Sequence, residues 1–156
     1  MTCYYTLYMI SSETKTAIKA TLHCLTGCAI GEILGMVIGT GLGWHNAGTT
    51  IFSIILAFVF GYSLTFWPIY RSGMGLKKVL GLTIAADTAS ITTMEIVDNL
   101  IMLVVPGAMN AGLGNLIFWI SLAVSLFIAF WITVPVNRWL IIRGKGHAVV
   151  HGHHHH

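Results

Sequence analysis

The chain has 156 residues, 56% of them hydrophobic and 8% charged, with a formal net charge of +3 and a mean hydropathy of +0.81. A soluble domain carries roughly a quarter charged residues, so this composition excludes an ordinary soluble domain and makes the bilayer the natural solvent. The Lys and Arg residues stand beside hydrophobic runs and form no basic face of their own, so no nucleic-acid partner is expected.

Residues 1–17 read as a cytoplasmic N-terminal segment. Met1 to Ile10 is apolar but lacks the basic start of a signal peptide. Met9 offers an alternative start. Four apolar runs follow, over about 18–43, 49–70, 79–106 and 114–142. Each reaches the ~20 residues that a ~30 Å hydrocarbon core requires. Helices are expected, because barrel strands would alternate in polarity. The fold class is therefore all-α, an integral membrane four-helix bundle over 18–142. A His-rich cytoplasmic tail occupies 143–156.

The loops set the orientation. Lys15 and Lys19 precede the first run, Arg71, Lys77 and Lys78 separate the second and third, and Arg138, Arg143 and Lys145 close the fourth. The connections Trp44–Gly48 and Gly107–Gly112 hold no Lys or Arg. All eight basic residues thus share one side, and the positive-inside rule makes it the cytoplasm. Both termini are expected there, in a multi-pass protein of the cell membrane. Trp44 and Trp119 suit the outer interface, Trp67 and Trp139 the inner one. Pro68 and Pro135 fall near inner helix ends, and Pro106 closes the third helix.

Helix one carries two ladders of four-residue spacing. Gly27, Gly31, Gly35, Gly39 and Gly43 form one, which is expected to let another helix approach closely. Cys24, Cys28, Glu32 and Met36 form the other. Three cysteines, with Cys3, make no disulfide framework. Cys24 and Cys28, one turn apart, suit a soft ligand pair better than a disulfide. His45, in the outer loop, is expected to bond backbone.

Helix three holds most of the acid. Of five acidic residues, Glu13 alone lies outside the spans. Asp87, Met94, Glu95, Asp98 and Met102 fall within an arc of about 100°, with Thr83 and Ser90 at its edge. A charge at the bilayer centre costs ~2.5–3.5 kcal/mol even on the mild insertion scale, so four carboxyls facing lipid would cost about 10 kcal/mol. They must face inward. With no basic residue inside the bilayer, a cation or protons must compensate them.

These features nominate a metal site of His23, Cys24, Cys28, Glu32, Asp87, Met94, Glu95 and Asp98, between helices one and three. Thiolate, thioether and imidazole together favour Cu(I), with Zn(II) second; carboxylates favour harder cations or protons. Copper is the expected ion. His147, His151, His153, His154, His155 and His156 read as a metal-capturing tail on the cytoplasmic side, with an expression tag as the rival reading.

Two stretches carry a family resemblance: His23–Gly27 (HCLTG), opening the first span, and Pro135–Leu140 (PVNRWL), closing the last. They resemble a prokaryotic four-helix membrane family known as a domain of unknown function (DUF4396-like). The resemblance implies the four-helix architecture and the importance of His23, Cys24 and Asn137. Many members of that family have an acidic residue where Cys28 stands here, a departure that keeps a ligand of different hardness in place. The family has no activity to carry over.

The leading expectation is a membrane-embedded protein that binds or transports a metal cation. The alternative is a non-catalytic accessory subunit of a larger membrane complex, such as a copper-dependent membrane enzyme. A thiol-based redox enzyme is weakest, since there is no CxxC spacing and no nucleotide or flavin motif; no catalytic role is expected. Lipid, a second copy of the chain or other membrane subunits are the expected partners.

Overall fold

A computed structural model describes residues 2–71 and 76–143. Four long helices follow in order: α1 (Thr2–Gly41), α2 (Asn46–Arg71), α3 (Leu76–Val104) and α4 (Leu116–Ile142). A 3-10 turn over Ala108–Asn110 lies between the last two. The described residues contain no strand. The fold is the expected all-α bundle, with boundaries within a few residues of expectation except at one end. There α1 begins at Thr2, because residues 2–17 contain neither Gly nor Pro to stop the helix. At 1.5 Å per residue it is about 60 Å long, twice the hydrocarbon core. The His-rich tail lies outside the described residues.

Among the described residues three helical stretches are long and apolar enough to cross a membrane: Ser12–Gly41, Asn46–Trp67 and Leu116–Ile142. At 29 residues α3 is longer than α2 and α4, but its acids and hydroxyls dilute it. Its apolar residues Ile84, Ile96, Leu100 and Leu103 face outward, while Asp87, Glu95 and Asp98 are buried. That is the reverse of a water-soluble helix, and the same inversion runs round the bundle. Leu34, Ile55, Phe127 and Trp131 are exposed, while Thr21, Ser53, Ser125 and Asn137 are buried.

The helices surround a centre in chain order, so α1 neighbours α2 and α4 and meets α3 across the middle. The tightest seam joins α1 to α2. A Cβ added to Gly27 would stand 2.6 Å from Gly61 Cα. One on Gly31 would strike the Ala57 backbone, one on Gly35 would strike Ser53, and one on Gly39 would strike Thr49. The partner positions, Thr49, Ser53, Ala57 and Gly61, are themselves small and four residues apart. Two antiparallel ladders of small residues therefore interlock, and backbone contact replaces side-chain interdigitation. Gly43 does not belong to this seam, contrary to expectation. It lies beyond the end of α1 at φ 68°, with nothing within 4 Å of a Cβ. Trp44 N donates to Gly39 O there, and Gly43 supplies the left-handed residue that such a helix end needs.

The connections are short and fixed. His45 accepts from Ala47 N through Nδ1 at 3.4 Å, the backbone role expected of it. Asn115 caps α4 through Ile117 N at 3.0 Å. Trp119 Nε1 donates to Leu113 O at 2.8 Å. At the opposite end, Arg71 lies over the Trp67 ring at 5.2 Å and Arg143 over Trp139 at 4.1 Å. Cations and indoles thus gather at one end, as an interfacial belt requires.

The seam makes a direct prediction. Gly31→Leu forces α1 and α2 apart and should destabilise the chain by about 1–3 kcal/mol or more. Gly48→Ala, where a Cβ meets nothing within 4 Å, should be neutral or stabilising by up to about 1 kcal/mol. Thermal unfolding in detergent compares the two.

Candidate functional site

The α1 seam with α2 fixes which face of α1 looks inward, and that face is the Cys24–Cys28–Glu32–Met36 ridge. Across the centre, α3 presents Asp87, Ser90, Met94, Glu95 and Asp98, all buried. The two faces meet as the sequence expects, but they form successive layers and no single ligand cage. Among the described residues, no group of three or more His, Cys, Asp or Glu side chains stands close enough to hold a metal ion by itself.

The first layer, toward the Arg-bearing end, is a hydrogen-bond junction. Asn137 Nδ2 donates to Thr21 Oγ1 at 2.8 Å, and Ser90 Oγ donates to Asn137 Oδ1. Thr21 in turn donates to Ala17 O at 2.8 Å. One buried amide therefore ties α4 to both α1 and α3. Asn137 is the asparagine of the PVNRWL stretch, and Thr21 and Ser90 are partners that spacing on single helices could not reveal.

The second layer pairs Cys24 Sγ with Asp87 Oδ1 at 3.7 Å. His23 is not part of it. Its ring is exposed, and Nε2 lies 2.9 Å from Leu64 O, which fixes that nitrogen as a donor to the backbone. The expectation that His23 joins the acids is therefore corrected. One residue from Cys24 is 100° around a helix, so the imidazole faces α2 and the outside. Met94 is also displaced from its expected role. It packs in an apolar plug with Cys24, Cys28, Ala57, Ile91 and Ala129, where it fills space.

The third layer is the acidic one. Glu95 lies beside Cys28 and Asp98, and Glu32 beside Asp98. Ser125 of α4 donates to Asp98 Oδ1. Glu32 Oε2 and both carboxylate oxygens of Glu95 are buried with no hydrogen-bond partner. Buried polar atoms are almost always paired, because an unpaired one forfeits its hydration.

Beside them lies a cavity of about 60 Å³, room for an ion or a few waters. Glu32, Glu95 and Asp98 form part of its wall, with Met36, Met102 and Met109. Thr50, Ser53 and Asn99 add neutral oxygens. It lies toward the end of the bundle that bears the two short connections, and the turn at Ala108 and Met109 borders it. Met36 and Met102 stand on the faces already singled out, although neither was nominated as a ligand. Met109 sits in a connection with no periodicity, so sequence patterns could not have found it.

Fold and site together define an all-α bundle with membrane-length apolar helices and a carboxyl-lined cavity toward its loop end. The family model described as a domain of unknown function (DUF4396) matches residues 14–146, and the chain belongs to that family. No curated protein and no solved structure matches it.

Asn137→Ala removes both bonds of the junction and leaves the Thr21 hydroxyl without its donor. A loss of about 1–3 kcal/mol is expected, and Asn137→Gln should not restore it, because the longer side chain moves the amide off both partners. Thermal unfolding of the purified protein measures the loss.

Proposed function

We propose that this chain is a multi-pass membrane protein that binds a metal cation, copper first, in the cavity between α1 and α3, and serves in its transport. The observation that carries the reading is that Glu32 and Glu95, whose buried carboxylate oxygens lack hydrogen-bond partners, share the wall of that cavity with Asp98. Acids inside a membrane bundle mark ion pathways, and the groups contacting these three are acids, a thiol and a hydroxyl, none of them cationic.

The donor set also suits this reading. Carboxylates supply charge, hydroxyl and amide oxygens complete a shell, and thioethers favour copper over the alkaline earths. Since no three carboxyl, thiol or imidazole groups converge among the described residues, the shell is mixed, drawn from carboxylate pairs and neutral donors. Cys24 and Cys28 lie below the cavity, as a second set of soft donors deeper in the bundle. In this reading α3 is the fourth span, and its outward apolar face meets lipid. The Arg-bearing end faces the cytoplasm of the cell, and the cavity opens to the other side.

Elemental analysis of the protein, purified without an added tag and loaded with copper, tests the reading. Glu32→Gln/Asp98→Asn should lose the intramembrane copper, an affinity drop of at least tenfold or about 1.4 kcal/mol. Cys24→Ser/Cys28→Ser should lose less. Equal copper in wild type and both variants, with other membrane subunits co-purifying, would instead mark an accessory subunit.

A further inference from the structure

We propose that Met36, Met102 and Met109 form a thioether site at the cavity mouth, which takes a soft univalent cation and passes it to the carboxyls beneath. This rests on the cation-binding reading and adds to it a set of ligands and a class of ion.

The three sulfurs come from three different elements. Met36 stands one turn beyond Glu32 on α1, Met102 one turn beyond Asp98 on α3, and Met109 in the 3-10 turn. All three border the same cavity as Glu32, Glu95 and Asp98. Two carboxyls of the same wall lack hydrogen-bond partners. Glu32 is 7% exposed with one unpartnered oxygen, and Glu95 is 6% exposed with two.

The chemistry of the donors selects the ion. Thioethers are neutral and polarizable, so they bind Cu(I) or Ag(I) and gain little from hard divalent ions. A neutral mouth holds a univalent ion without trapping it by charge, and the carboxyls below supply the charge. The turn bearing Met109 is held in place: Asn46 Nδ2 donates to Met109 O at 3.2 Å and to Asn110 Oδ1 at 2.9 Å.

The competing role for these residues is packing, since Met36 and Met102 lie against Ala111, Phe118 and Leu122. Met→Leu separates the two roles, because it keeps the volume and removes the sulfur.

The test uses the full chain in detergent micelles, with carbon-13 in its methionine methyl groups. It is titrated with Ag(I), a univalent ion inert to redox, and separately with Zn(II). Of the seven methionine signals, those of Met36, Met102 and Met109 should move together with Ag(I) and stay still with Zn(II). By isothermal titration, Met36→Leu/Met102→Leu/Met109→Leu should weaken the corresponding Ag(I) step at least tenfold, with an unchanged unfolding temperature. Three unmoved signals at saturating Ag(I), or a triple variant that binds Ag(I) as tightly as wild type, would overturn the thioether site. If the three signals move but Glu32→Gln/Asp98→Asn keeps its copper, the mouth stands and the carboxyl reading falls.

Discussion

The backbone contact between α1 and α2 governs the rest of the bundle. Once Gly27, Gly31, Gly35 and Gly39 lie against Gly61, Ala57, Ser53 and Thr49, the rotation of α1 about its axis is fixed. The ridge of Cys24, Cys28 and Glu32 is turned about 60–100° from that seam. In a bundle whose helices surround a centre in chain order, such a rotation points the ridge across the middle, at α3. The glycines therefore touch no ligand, yet they decide where the carboxyls go. Gly61 extends the effect to the next helix, since the space where its side chain would be is filled by Ile91 of α3.

Much of this was legible in the sequence, because the bilayer imposes few solutions. Length and hydropathy mark the helices. The cost of burying charge in lipid turns Glu32, Asp87, Glu95 and Asp98 inward without any knowledge of their partners. What spacing could not supply is which faces meet. It placed Cys24, Glu32 and Asp98 on inward ridges, but not Cys24 against Asp87 or Glu32 against Asp98. The four-residue ladder Thr49–Ser53–Ala57–Gly61 is as regular as the glycines of α1, and its mixed residue types hide it. The fourfold glycine pattern also runs one step too far, to Gly43. There the same residue type serves a turn, because glycine satisfies both close approach and positive φ. His23 fails for a related reason: adjacency in sequence to Cys24 is a large rotation on a helix.

The polar layers differ in how well they are satisfied, and that difference separates structure from function. At the Asn137 junction the amide has a partner on each side, and it ties three helices. In the acidic layer the opposite holds. Ser125 serves Asp98, while Glu32 and Glu95, in the wall of the cavity, keep buried oxygens without partners. A fold does not require carboxyls there for cohesion, since hydroxyls would tie the same helices without the cost of buried charge.

The position of the cavity bears on how a cation would reach the proposed site. Beneath the acidic layer lies the plug of Cys28, Ala57, Ile91, Met94 and Ala129, all buried. Small residues at Ala57 and Ala129 bring the backbones close, and Ile91 fills the gap left by Gly61. The described cavity reaches the acidic layer and is not lined by these plug residues. On the proposed reading, an ion would therefore enter from the loop end without any movement of the plug. Passing it to Cys24 and Asp87 requires the plug to loosen, and Met94, with three rotatable bonds between the two polar layers, is its most adaptable member. On the proposed reading, binding would need no rearrangement, whereas transport would demand a second arrangement of α3 against α1. The diagonal contact between those helices is the place for it. It is made by side chains across the centre, while the glycine seam of α1 with α2 holds the frame.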